Sequence, residues 1–363
     1  MTKDIESLVE KHENLRKEGI NLIASENFIS KKVRNILSSD LAGRYHADFY
    51  GGSKYAQEIV EKTKELAEEL FDVKHAFVKP VSGNLCDLNV LFSLTEPYDK
   101  VAMMDFENGG YPFGLEKFDR KRVSLPTHED SFEIDVEKAQ KIIDKENPRL
   151  TILGSSYIPF PHPVKQISES TEDCIEEHHL VFDGSHVLGL IATDTFQNPL
   201  SEGADVLIGS THKSLYGPQG GLILTDSDHH AELISDYLDI DLETGIGLVD
   251  NPHVNRIAAL GAALKEMLDD EEYGKRIVEN AKELGKSLDD LGVPVKFKGK
   301  GYTESHQIFL DIEDEDSQKL CKKLEKENIF IDIGGRIGVA EVTHRGMNTD
   351  EMEKIAQKIA EKY

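Results

Sequence analysis

Ile208-Gly209-Ser210-Thr211-His212-Lys213-Ser214 closes a short apolar run and leads into Gly217-Pro218-Gln219-Gly220-Gly221. An apolar strand that stops at hydroxyl residues and a lysine puts an amine at the rim of a buried sheet. Desolvation there lowers the amine's pKa, and the neutral amine is the form that attacks an aldehyde. Ser210 and Thr211 suit a phosphate or cofactor oxygen, and the glycine run lets backbone approach closely. Taken alone, the pattern also fits a surface lysine before a turn.

Upstream, Val181-Phe182-Asp183-Gly184-Ser185-His186 is an apolar strand ending in a carboxylate and a histidine. α/β folds place ligands at the C-terminal ends of strands. Asp183 would there keep a pyridine nitrogen protonated, though an N-cap for the next helix fits it equally well. Further upstream, Val81-Ser82-Gly83-Asn84-Leu85 lies between a strand and a helix. Helix-start N–H groups and a serine hydroxyl make an anion site, and alone they also read as a simple cap. No G-x-x-x-x-G-K-[ST] or G-x-G-x-x-G is present, so nucleotide binding has little support. In this order the three elements describe a pyridoxal 5′-phosphate (PLP) site. In such a site Lys213 would be the Schiff-base lysine, Asp183 would face the ring nitrogen, and the helix start with Ser82 would take the phosphate.

Working outward, apolar strands are predicted at 75–78, 100–104, 150–154, 180–183, 206–208 and 221–224. A helix is predicted before them at 59–71, and helices between them at 85–94, 136–144 and 168–177. This alternation argues for a doubly wound, mostly parallel sheet covered on both faces. The texture changes after residue 248, with helices at 252–268, 272–291, 316–326 and 350–361 and strands at 293–298, 306–311 and 336–340. The division expected is an N-terminal arm (1–30, holding a helix over 6–19 closed by Gly19), a large domain (31–250) and a smaller α+β domain (251–363).

The 363 residues are ample for a buried core, and 39% hydrophobic with 30% charged residues is a globular profile. Forty-two basic against 68 acidic side chains leave a net charge of −26, which disfavours nucleic acid and anionic membrane surfaces as partners. The first six residues lack the apolar core of a signal peptide, and no apolar run is long enough for a membrane span. Cys86, Cys174 and Cys321 are far apart, with neither a disulfide framework nor a cysteine zinc site indicated. A cytoplasmic protein is expected. His178-His179 and His229-His230 are read as surface pairs, so no metal site is expected.

These segments strongly resemble serine hydroxymethyltransferase, a fold-type I PLP enzyme of aspartate aminotransferase-like architecture. The likeness starts at Asn21-Leu22-Ile23-Ala24-Ser25-Glu26-Asn27 and passes through Tyr50-Gly51-Gly52, 181–186 and 210–224. It continues through Gly335-Arg336-Ile337-Gly338 to Thr343-His344-Arg345-Gly346. The resemblance implies that Lys213 forms the internal aldimine, that Asp183 and His186 support the ring, and that Ser156 touches the ring hydroxyl. Asn84 and Ser210 join Ser82 and Gly83 in binding the cofactor, and His212 precedes the lysine as a catalytic candidate. Arg336, helped by Ser25, would clamp the amino-acid carboxylate bidentately. Tyr50 would reach into a neighbouring subunit's site, implying a homodimer, and Gly245 sits where the family's partner-reaching glycine loop would be. The implied activity makes or breaks the Cα–Cβ bond of a β-hydroxy amino acid.

Five departures bear on that activity. The family's Tyr-Ala-Glu-Gly-Tyr-Pro segment, whose glutamate serves acid–base chemistry and folate contact, is shortened here to 44–50. It offers only Asp48 or His46 in the glutamate's place. The ring-stacking histidine is replaced by Tyr111, which keeps ring contact. Gln219 stands for the arginine of Gly-Pro-Arg-Gly-Gly. The loop before Gly335 is shorter than usual, and the partner-reaching loop has become 242–247. Cofactor and carboxylate sites are thus kept while folate sites are altered. The expectation is a member of this family that works without a folate, with transfer to another pterin, racemisation, transamination or a non-catalytic PLP-fold protein as alternatives.

Overall fold

The computed structural model describes residues 4–128, 131–171, 178–241 and 243–363. Residues 1–3, Cys174, Leu242 and the end of the helix predicted over 168–177 lie outside the described residues. By internal packing the chain divides into two compact units: Phe28–Glu272, and Met1–Asn27 together with Tyr273–Tyr363. This differs from the division expected after residue 250. The helix Val254–Leu268 packs on the helices Lys31–Leu37 and Lys54–Phe71 around buried Val33, Ala259 and Ala263, which ties it to the larger unit. The N-terminal arm groups with the C-terminal segment, because Ile20–Asn21 pairs in parallel with Ile329–Phe330.

Among the described residues of the larger unit, seven strands form one sheet. They are β1 (His75–Phe77), β2 (Lys100–Met104), β3 (Lys121–Leu125), β4 (Leu150–Leu153), β5 (His179–Asp183), β6 (Val206–Ser210) and β7 (Gly221–Thr225). Their spatial order is β1-β7-β6-β5-β4-β2-β3. β7 runs antiparallel to both its neighbours, and the other pairings are parallel. β4 to β7 are buried at every described position, which is why they read as continuous apolar runs rather than as alternation. The helix Gly83–Leu94 covers this region, packing Val90, Leu91 and Leu94 with Val181, Ile208 and Ile223. β3 escaped the sequence reading because Lys121, Arg122 and Ser124 alternate with buried Val123 and Leu125 along one edge of the sheet.

In the smaller unit, Gln307–Phe309 pairs antiparallel with Arg336–Gly338 beside the helices Tyr273–Asp290 and Thr349–Ala360. The strand predicted over 293–298 is not formed. Only a single bridge, Val295 to Leu310, is present, and a tight 3₁₀ turn follows at Lys298–Lys300. Pro294 has no N–H to give to a ladder there. The strand predicted over 336–340 ends at Gly338, and a short helix starts at Ala340. Gly19 does cap the helix Ile5–Glu18, but in extended conformation. A Cβ there would lie 2.3 Å from the Phe330 ring, so the close approach is what requires glycine.

Candidate active site

The parallel pairing of β5 with β6 sets Asp183 opposite Ile208, so the ends of both strands open at one rim of the sheet. β7 returns antiparallel and pairs Gly221 with Ser210, while the Gly221 N–H donates to the Pro80 carbonyl at 2.9 Å. That bond draws the turn after β1, and with it the start of the helix Gly83–Leu94, to the same rim. Ser82 caps the helix, its Oγ accepting from the Leu85 N–H at 3.2 Å. The N–H groups of Gly83 and Asn84 have no intrahelical acceptor and are the natural anion donors. A Cβ on Gly83 would fall 2.2 Å from the Ser210 hydroxyl, so only glycine admits this approach. Ser185 locks the corner: its hydroxyl accepts from the Ser210 N–H at 3.0 Å, and its own N–H donates to Asp183 Oδ1 at 2.9 Å.

Lys213 is half-buried just beyond β6, in a loop closed by two bonds. The Thr211 N–H donates to the Gly220 carbonyl at 3.1 Å, and the Thr211 hydroxyl donates to the Pro218 carbonyl at 2.6 Å. Next to it, burial and then the Lys213 charge push the His212 imidazole down to a pKa of about 4, so it is neutral at ordinary pH. Its Nδ1 is buried without a hydrogen-bond partner.

Asp87, on the helix Gly83–Leu94, is a functional candidate that the sequence did not disclose. Burial raises its carboxyl well above the usual range, and the nearby Asp183 adds to this while Lys213 opposes it. A second carboxyl beside Asp183 thus has its neutral form favoured by burial and by the like charge next to it. Tyr111 faces the same carboxyls. Its phenol is raised first by burial and then by Asp87 and Asp183, and its hydroxyl donates to Asn84 Oδ1 at 3.1 Å. The tyrosine thus spans the space between the carboxyl pair and the helix start. Arg256, also missed, is buried and donates to the carbonyls of Val78, Lys79 and Pro252, bracing the turn that precedes Ser82.

His186 is buried in the turn after β5, and half-buried Ser156 follows β4. Between β4 and Ser156, Gly154 has φ +88° and its missing Cβ would meet the Asp183 carbonyl oxygen at 2.1 Å, so this loop lies directly against the Asp183 backbone. Its N–H donates to Nδ1 of buried His162 at 3.1 Å.

Lys213, Asp183, His186, Ser82, Gly83, Asn84, Tyr111, Ser156, Ser210 and His212 all lie on the segments that meet around this rim. Arg336 and Ser25 both belong to the smaller unit. There the Arg336 guanidinium donates to Asp332 Oδ2 at 2.9 Å, and Gly338 packs so closely on Ala24 that a Cβ would lie 2.4 Å from its Cα, which brings Ser25 to the Arg336 strand. Among the described residues no hydrogen bond or ion pair joins Asp48, Tyr50 or Gly245 to the Lys213 loop. Asp48, Tyr50 and Gly245 are exposed, and Tyr50 packs against the Tyr45 and Phe49 rings instead. His46 is lowered by burial and then by Lys79.

A lysine beside a carboxyl pair, an aromatic ring facing that pair, an anion cradle that admits no Cβ and an orphaned His212 nitrogen fit PLP. The histidine pairs do not match their reading as surface residues: His179 and His230 are buried and face one another, while His229 is exposed. Among the described residues no helix is long and apolar enough to cross a membrane.

The family model for serine hydroxymethyltransferase matches residues 1–359. A serine hydroxymethyltransferase of Methanothermobacter marburgensis is 38% identical, the match covering 99% of this chain and 89% of the relative. One of Archaeoglobus fulgidus is 36% identical over 98% of this chain and 85% of its own. The crystal structure of an L-threonine transaldolase from Pseudomonas fluorescens, in its internal aldimine state, superposes with a TM-score of 0.89 at 28% identity. That match covers 99% of this chain and 86% of that one. With the lysine, the carboxyl pair and the phosphate cradle at one sheet rim, these matches show that the chain belongs to the serine hydroxymethyltransferase family of fold-type I, PLP-dependent enzymes.

Proposed function

We propose that this enzyme makes and breaks the Cα–Cβ bond of a β-hydroxy amino acid, and that it does so without a folate. The observation that carries the reading is the meeting of Lys213, Asp183, buried Asp87 and the Gly83 helix start at one end of the sheet. PLP, when bound, supplies an electron sink for charge developing at the substrate's α-carbon. Lys213 holds the cofactor, and Asp183 holds a proton at the ring nitrogen. Tyr111 covers the ring, Ser156 and His186 support its polar edge, and Ser82, Gly83, Asn84 and Ser210 take the phosphate. Arg336 and Ser25 orient the amino acid by its carboxylate, with Arg336 exchanging its bond to Asp332 for one to substrate. His212, held neutral by burial and by the Lys213 charge, stands next to the lysine as an uncharged neighbour.

Freedom from folate is supported by the shortened 44–50 segment, where the family's glutamate is missing and Asp48 is solvent-exposed. The short loop before Gly335 and the likeness to a threonine transaldolase support it too. The reading includes a cytoplasmic homodimer in which Asp48, Tyr50 and the Gly245 loop serve the partner's site; the exposed Tyr45, Phe49, Tyr50 and Tyr55 are suited to such an interface. Hydroxymethyl transfer to a pterin is the second reading, favoured by the relatives that carry the family's name.

One assay separates them: purified enzyme with serine, threonine or alanine, with and without tetrahydrofolate, products identified by mass. Glycine and an aldehyde from a β-hydroxy amino acid, at a rate that tetrahydrofolate leaves unchanged, is the expected result. Glycine formed from serine only when tetrahydrofolate is present contradicts it, and turnover of alanine alone would mark a different PLP reaction.

A further inference from the structure

At the opposite end of the same strands, the geometry points to a second site: His179, Asp205 and His230 form a binding site for a first-row divalent metal ion of the Zn²⁺ class. One ligand atom from each residue lies within 4.8 Å of the other two. His179 Nδ1 and His230 Nε2 are 3.1 Å apart, with the rings perpendicular at 88°. Two nitrogens on a tetrahedral zinc, each bonded at about 2.05 Å, are separated by about 3.3 Å, so the observed pair stands near that spacing before any ion is bound. Two imidazoles and a carboxylate are borderline donors that suit Zn²⁺ and its neighbours in the first row rather than Mg²⁺ or Ca²⁺.

Each ligand is fixed by backbone. His179 is the first residue of β5 and is 2% exposed. Asp205 immediately precedes β6. Its Oδ2 accepts from the Leu180 N–H at 2.7 Å, and its carbonyl accepts from the Thr225 hydroxyl at 2.7 Å, which ties the end of β7 to it. His230 stands in the first turn of the helix Asp228–Leu238 and is 8% exposed. Its Nδ1 lies 2.9 Å from the Ser227 hydroxyl. With the proton on Nδ1 donated to Ser227, the Nε2 lone pair faces His179 and Asp205, the arrangement that an outer hydrogen bond gives a ligating histidine. A fourth position falls to water. Bound metal would join the starts of β5 and β6 to the helix after β7, about 13 Å along β5 from Asp183. Its role there is to stabilise the fold, not to react.

The alternative occupant of this space is a proton, with one imidazole donating to the other. The holoenzyme, stripped with a chelator and exchanged into metal-free buffer, is titrated with Zn²⁺ by calorimetry at physiological salt, which screens the general attraction of a strongly acidic chain for cations. Saturable binding of one Zn²⁺ per chain is expected, unchanged in His229→Ala and weakened on the order of 100-fold in His179→Ala and Asp205→Asn. The cofactor's visible band should persist in all of them, which also reports that the variants fold. Co²⁺ added to wild-type holoenzyme should give the strong d–d absorption of a four-coordinate ion at wavelengths beyond the cofactor band, a readout that needs no variant. Absence of saturable Zn²⁺ binding, absence of those cobalt bands, or equal affinity in wild type and a folded His179→Ala would overturn the site.

Discussion

Burial, more than local sequence, sets the charges around Lys213. The lysine, Asp183 and His186 were legible because each stands at the end of an apolar strand, where the pattern itself says a polar side chain meets a cavity. Asp87 was not legible. It sits within a helical stretch where a carboxylate reads as solvent-facing, and only the packing of that helix on the sheet buries it. His162 shows the same effect beside the site, where full burial lowers its pKa from 6.5 to about 4. A histidine whose folded pKa is depressed contributes stability above its unfolded pKa and loses it as pH falls from there through the folded value. Between about pH 6.5 and pH 4 the holoenzyme should therefore lose on the order of 3 kcal/mol through this residue. Denaturant unfolding at several pH values should show a flatter acid limb for His162→Gln than for wild type. Parallel limbs would assign the acid sensitivity elsewhere.

At the scale of elements, β1, β2 and β4 to β7 were readable from their apolar runs, and the helices predicted over 59–71 and 252–268 from their periodicity, observed at Lys54–Phe71 and Val254–Leu268. β3 and the irregular 293–298 segment were not. One hides its apolar face behind charged neighbours, and the other is apolar in composition but is stopped by Pro294 and the turn after it. The phosphate cradle is an element-level device, since it needs the turn after β1 and the end of β6 to touch. Gly83→Ala inserts a methyl 2.2 Å from the Ser210 hydroxyl. Overpacking of this kind costs about 1–3 kcal/mol, so if it falls on the cofactor-bound state the dissociation constant for PLP should rise about fivefold to 150-fold. Cofactor titration of the apoenzyme measures it, and an unchanged affinity would remove Gly83 from the phosphate site.

For the whole molecule, the order of elements foretold a large α/β unit and a smaller one. The boundary itself depends on which helices pack together, and a linear pattern does not carry that. Residues 1–27 reach their unit through a strand pairing with residues 329–330, far away in sequence. Tyr50 is exposed in the single chain, and the proposed sharing of sites between subunits makes a direct expectation for it. Tyr50→Ala and Lys213→Ala homodimers should each be nearly inactive, and mixing equal amounts with subunit exchange should restore roughly a quarter of wild-type activity through heterodimers holding one intact site. No recovery despite exchange would place Tyr50 in its own subunit's site or outside catalysis.

The most direct test of the central claim is the visible absorbance of the purified protein after addition of PLP, compared between wild type and Lys213→Ala. Wild type should show the band of a lysine-bound cofactor and keep it through gel filtration, and Lys213→Ala should lack it while remaining folded. A wild-type protein without that band, or a Lys213→Ala variant that retains it, would contradict the assignment of Lys213 as the residue that holds the cofactor.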